Sequence, residues 1–146
     1  MNTYFDTIRI GQAIEGTPFH PTRETIREFC EASLDFNPLH LDDEYMKGSF
    51  GKTNFGGIIM HGMNNFGVIS KMITDWLYPN GGVHRRLETR WKSPVKPGDR
   101  ITPSAVVTAT KTSSTSNWVT LDIKVVNQRD EIVASGEAMV EFPNHH

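Results

Sequence analysis

Residues 58–82 read IIMHGMNNFGVISKMITDWLYPNGG, and the architecture follows from what this segment does. Met63, Phe66, Ile69, Ile73, Trp76 and Leu77 recur with a period near 3.6, which predicts an amphipathic helix. Pro79, Gly81 and Gly82 stop it. The apolar arc is wide, so the helix is expected to be mostly covered by other elements.

After Gly82 the texture changes. VHRRLETRWKSPV alternates loosely, KPGD is a turn, and RITPSAVVTATKTSS, NWVTLDIKVVNQ and EIVASGEAMVEFP are rich in Val, Ile and Thr. Turns fall at SSTSN and NQRDE. Long strands joined by short turns predict an antiparallel meander. One long apolar helix followed by four such strands predicts an α+β fold with a curved sheet wrapped around a central helix. The exposed edges of that sheet predict pairing with a second copy, as a homodimer or higher homo-oligomer.

Upstream, Thr22 is placed as an N-cap for TRETIREFCEAS, where Ile26, Phe29 and Cys30 share a face. DDEYMKG predicts one further helical turn ending at Gly48, and SFGKTNFGG predicts a mobile loop. Between them lies SLDFNPLHLDDEYM, residues 33–46, in which Asp35, Asn37, Pro38, His40 and Asp42 alternate with Leu34, Phe36, Leu39 and Leu41. A solvated loop has no need of four large apolar residues, and a buried strand would not carry that polarity or Pro38. The stretch reads as a polar site set into an apolar wall.

Composition narrows the partners. The chain has 146 residues, which suits a single domain spanning 1–146. The formal net charge is -2, so no basic surface points to nucleic acid. The lone cysteine, Cys30, rules out an intrachain disulfide and fits a reducing, cytoplasmic setting. No apolar run is long enough to span a membrane, and MNTYFDTIRIG lacks the pattern of a signal peptide. His20, His40, His61 and His84 lack metal-ligand spacing, so no metal is expected. Rossmann and P-loop glycine motifs are absent. His145 and His146 read as tag remnants.

These residues resemble a known family. SLDFNPLHLD is similar to the hydratase-2 motif of MaoC-like dehydratases and (R)-specific enoyl-CoA hydratases, through Asp35, Asn37, Pro38, Leu39, His40 and Asp42. GGIIMHGM, RWKSPVKPGDRI and GEAMVEFP resemble further family segments, and Leu34 stands where many members carry Gly. The resemblance implies the hot-dog fold. It also implies hydration of trans-2-enoyl-CoA to (R)-3-hydroxyacyl-CoA, or the reverse, with coenzyme A present only as part of the acyl-CoA thioester substrate and no other cofactor.

Adding water across an activated double bond requires a base, an acid and a donor to the developing enolate oxygen. Asp35 and His40, five positions apart around Pro38, are the candidate acid–base pair, and either can take either role. The plain alternative is a turn carboxylate beside a structural histidine. Asn37 is placed as a supporting residue that holds the loop and orients His40, which is compatible with an Asx-turn. Gly62, at the helix start, supplies by resemblance the backbone N–H that meets the thioester carbonyl; the alternative is a glycine kept for tight packing. Ser70 by resemblance contacts the catalytic loop, against a back-bond to its own helix. Arg86, Arg90 and Lys92 share a strand face and could meet coenzyme A phosphates, against a merely solvated face. His61 is left open between site and structural roles. Two other functions fit the fold: an acyl-CoA thioesterase, which the Asn-Pro-x-His spacing disfavours, and a non-catalytic acyl-thioester-binding subunit.

Overall fold

In β4 (Ser116–Val126), Val119, Leu121, Ile123 and Val125 are all buried, one residue in two, while Asp122 and Lys124 face out. That alternation gives the sheet one dry face. β3 (Thr102–Thr112) adds Ala105 and Val107 to it, and β5 (Ile132–Pro143) adds Ala138, Val140 and Phe142. The computed structural model describes residues 3–48 and 54–144. Its elements run β1 (Ala13–Glu15), α1 (Arg23–Ser33), α2 (Gly62–Leu77), β2 (Val83–Trp91), β3, β4 and β5, with 3-10 turns at Tyr4–Thr7, Pro38–His40, Tyr45–Lys47 and Tyr78–Asn80.

α2 lays Ile69, Met72, Ile73 and Leu77 on the dry face, where they join one core with Val119, Leu121, Val140 and Phe142. Each such side chain contributes roughly 1.5–3 kcal/mol through burial. The buried stripe is narrower than the sequence predicts. Met63 is 57 % exposed, and Asn65 is buried in its stead. α1 starts at the expected cap, with the Thr25 N–H donating to Thr22 Oγ1 at 3.0 Å.

Two expectations are corrected. The strands are antiparallel, but their order is β1-β3-β4-β5-β2, so only β3, β4 and β5 form a meander. β2 crosses to pair with β5, Leu87 opposite Ala138, and the three-residue β1 pairs with β3. The α+β, hot-dog-like architecture stands, but the antiparallel curved sheet wrapped around the helix does not. The sheet is open, neither closed nor strongly curled, with β1 and β2 at opposite edges. A helix buried along one stripe, with Lys71, Thr74 and Asp75 exposed behind it, needs cover on one side only. The loop segment 49–53 of the predicted SFGKTNFGG loop lies outside the described residues, as do His145 and His146.

Candidate active site

The site is built where α1 hands the chain to the motif loop. α1 ends at Leu34 in a left-handed conformation, φ 61° and ψ 22°. This turns the backbone so that Asp35 leaves the helix axis. Asp35 Oδ1 accepts the Asn37 N–H at 3.2 Å, and Asn37 Oδ1 accepts the Leu39 N–H at 3.1 Å. Two consecutive side-chain caps thus fold the loop into the Pro38–His40 3-10 turn, and the His40 N–H donates to the Asn37 carbonyl at 3.0 Å. Asn37 acts on the backbone of the loop, and its amide does not reach the His40 ring.

His40 is buried, and its Nδ1–H donates to the Ile59 carbonyl at 2.7 Å. This fixes the tautomer and leaves Nε2 as an acceptor in the neutral ring. Burial holds the His40 pKa below the ordinary imidazole range; the Ile59 bond opposes that shift and neighbouring His61 reinforces it. His61, the residue before α2, is 2 % exposed and stacks on His40 with ring centroids 3.6 Å apart and planes 18° from parallel. Its other neighbour is Phe29 of α1, at 4.7 Å. His61 Nε2–H donates to the Asp35 carbonyl at 3.1 Å. The column Phe29–His61–His40 therefore ties α1, the motif loop and the start of α2 together. The structure packs His61, which the sequence left undecided, under the motif loop; it lies 26 residues from Asp35 along the chain, and no local pattern reveals the meeting.

Asp35, His40 and His61 each bring one donor atom within 4.8 Å of the others, Asp35 exposed and both histidines buried. The fold gathers a cluster that linear spacing does not disclose. Two nearly parallel stacked rings do not aim their in-plane lone pairs at one ion, so the set suits shared water better than tetrahedral coordination. Below it, Cys30 is fully buried, and its thiol pKa is pushed up by burial and by the Asp35 charge.

Gly62 opens α2, and its N–H has no partner among the described residues. The Trp91 indole lies where a Cβ would sit, with atoms 2.7 Å from that position. The packing role is thus real, and the free amide sits beside it. Both flank a cavity of about 350 Å³ lined by Leu39, His40, Ile59, Gly62, Asn65 and Val95, among others. Asn65, absent from the sequence-derived candidates, is 3 % exposed, and its Oδ1 has no hydrogen-bond partner. Its one legible signal is an amide on the stripe side of the helix, three residues after Gly62.

The other candidates lie apart. Ser70, two turns beyond Gly62, is half-buried on α2 and does not line this cavity. Arg86 is engaged by Glu88 at 2.7 Å and Glu137 at 3.1 Å. Arg90 and Lys92 border a second groove along β2 and β5, and Lys92 also reaches the rim of the His40 cavity.

The family described as the MaoC like domain matches residues 6–128. An (R)-specific enoyl-CoA hydratase of Rhodospirillum rubrum is 30% identical over 145 residues, covering 96% of this chain and 92% of its own. Among solved structures, an (R)-hydratase of Aeromonas caviae involved in PHA biosynthesis superposes with a TM-score of 0.80 at 28% identity, over 94% of this chain and 98% of the other. A monoamine oxidase regulatory protein from Archaeoglobus superposes at 0.84 with 31% identity, over 98% and 95%.

Proposed function

The chain belongs to the MaoC-like domain family, and from that premise we propose that it is an (R)-specific 2-enoyl-CoA hydratase and 3-hydroxyacyl-CoA dehydratase. The observation that carries the reading is the approach of Asp35 and His40, with His61, to within 4.8 Å beside the free Gly62 N–H and an apolar-walled cavity.

The Asp35 carboxylate and neutral His40 Nε2 are both acceptors, so one water can donate its two O–H groups to them. Its lone pair then faces C3 of an enoyl thioester whose carbonyl oxygen rests on the Gly62 N–H. As the C3–O bond forms, the pair takes a proton from the water and the C2–C3 π electrons move toward the thioester oxygen. The Gly62 amide stabilises that charge in a water-poor setting, reinforced by the start of α2. The pair returns a proton to C2, and because one group of residues handles both steps, the two hydrogens arrive on one face. Asn37 holds the loop that sets this spacing, and His61 holds it from beneath. Arg90 and Lys92, which border the groove along β2 and β5, would meet coenzyme A phosphates, with Arg86 held in sheet ion pairs. Exposed Leu34, Phe36, Met63 and Trp91 surround the site, an apolar rim that a second copy would cover in a homodimer.

The test is hydration of crotonyl-CoA and longer enoyl-CoAs, followed as loss of the conjugated thioester absorbance. Asp35→Asn and His40→Ala are each expected to lower kcat by about 10²–10⁴-fold. Unchanged turnover in both variants overturns the assignment. Release of free thiol in place of a hydroxyacyl product assigns a thioesterase instead.

A further inference from the structure

The cavity beside His40 is walled by Leu39, Phe55, Ile59, Met60, Pro94 and Val95. His40, Lys92 and Ser93 also line it, and α2 adds Asn65, a polar side chain for which a plain hydrocarbon tail has no need. The Asn65 side chain is as buried as the core around it, at 3 % exposure, and its amide oxygen has no hydrogen-bond partner. Leaving a buried amide oxygen unpaired is costly, and few native groups are left that way without a ligand or water to satisfy them. Leu or Met would fill the same helix position without that cost.

The position of Asn65 says what it would meet. It follows Gly62 by three residues, so it lies on the same helix face, about 4.5 Å further along the axis. With the thioester oxygen on the Gly62 N–H and C2 and C3 between Asp35 and His40, the acyl chain passes Asn65 a few carbons beyond the double bond. We propose that Asn65 is a specificity-determining residue which hydrogen-bonds an uncharged oxygen substituent, a hydroxyl or oxo group, on the acyl chain just past C3. The carboxamide offers both an acceptor and a donor and rotates to present either, so it suits both groups. A site built to hydrogen-bond a substituent discriminates against the analogue lacking it far more strongly than an apolar pocket rejects one methylene. This inference names the substrate class of the hydratase site and rests on that reading.

The experiment compares matched thioesters, trans-2-hexenoyl-CoA against its 5-hydroxy and 5-oxo derivatives, in the full chain and in Asn65→Leu. Wild type is expected to favour at least one oxygenated substrate by 10-fold or more in kcat/KM. Asn65→Leu is expected to abolish or invert that preference and to melt at a higher temperature. Dissociation constants for the same ligands, measured by calorimetry, separate the two levels of the argument. Preferential binding without turnover removes the hydratase assignment and keeps Asn65 as the selector. Turnover of all three substrates with equal kcat/KM in wild type overturns the role of Asn65 and leaves the hydratase standing. The wild-type ratio alone is decisive if the variant does not fold.

Discussion

His40 shows how a single side chain is tuned by position. Burial disfavours its charged form, and the Ile59 carbonyl holds the one proton it keeps. The folded pKa is lowered, so as pH falls the unfolded chain binds the proton first, near the ordinary value of about 6.5. The stability that neutral His40 contributes is therefore complete above about pH 6.5 and is lost as pH falls from there through its lowered folded value. His84 is shifted the same way by burial. Melting temperature is expected to decline as pH drops below 6.5, and His40→Gln should flatten that decline. A slope unchanged by the substitution counts against the shift. The acid limb of kcat/KM should likewise fall below the ordinary histidine range. The residue scale was also the most legible in sequence, because Asp35, Asn37 and His40 sit on one short loop whose caps are local. His61 and Asn65 were not legible. One needs the stack with Phe29 and His40, and the other needs a cavity wall assembled from residues 39–95.

At the scale of elements, two glycines separate backbone demands from packing demands. Gly98, in the KPGD turn, has φ +90° with open space where a Cβ would go. Gly136 of β5 faces Thr89 of β2, and a Cβ there would collide with the Glu88 carbonyl. Gly98→Ala is expected to cost about 1 kcal/mol from backbone strain alone. Gly136→Ala should cost about 3 kcal/mol, because two strands must part. Chemical denaturation of both variants checks the order, and a Gly98→Ala loss equal to or larger than that of Gly136→Ala contradicts it. The helices were readable because their signals are local: Thr22 caps α1, and Pro79 with Gly81 stops α2. Strand identity was readable for the same reason. Strand order was not. The β2–β5 pairing joins residues such as Leu87 and Ala138 that no turn connects, and the three-residue β1 carries too little pattern to register.

At the scale of the whole molecule, the open sheet leaves β1 and β2 as edges, and alternate residues of the nine-residue β2 turn their backbone groups to its open side. A wide apolar arc on α2, as the sequence predicts it, demands cover by a wrapped sheet. The helix instead leaves Met63 outside, beside the same groove that Trp91 and Phe66 line. A second copy is the cover that an apolar rim of this kind calls for. Sedimentation at micromolar concentration is expected to give twice the chain mass, and Trp91→Glu to shift the particle toward a single chain. A wild-type chain that sediments alone across that range removes the dimer from the account.

The indole of Trp91 rests against Gly62, nearly half exposed, whereas Trp76 donates its N–H to Tyr4 and Trp118 donates its N–H to Ser116. Of the three tryptophans, only Trp91 borders the cavity. Even with a second copy over its outer face, its emission colour and quantum yield are expected to respond to whatever fills the cavity it lines. The chain thus carries its own optical reporter, through which occupancy can be watched in real time without a label.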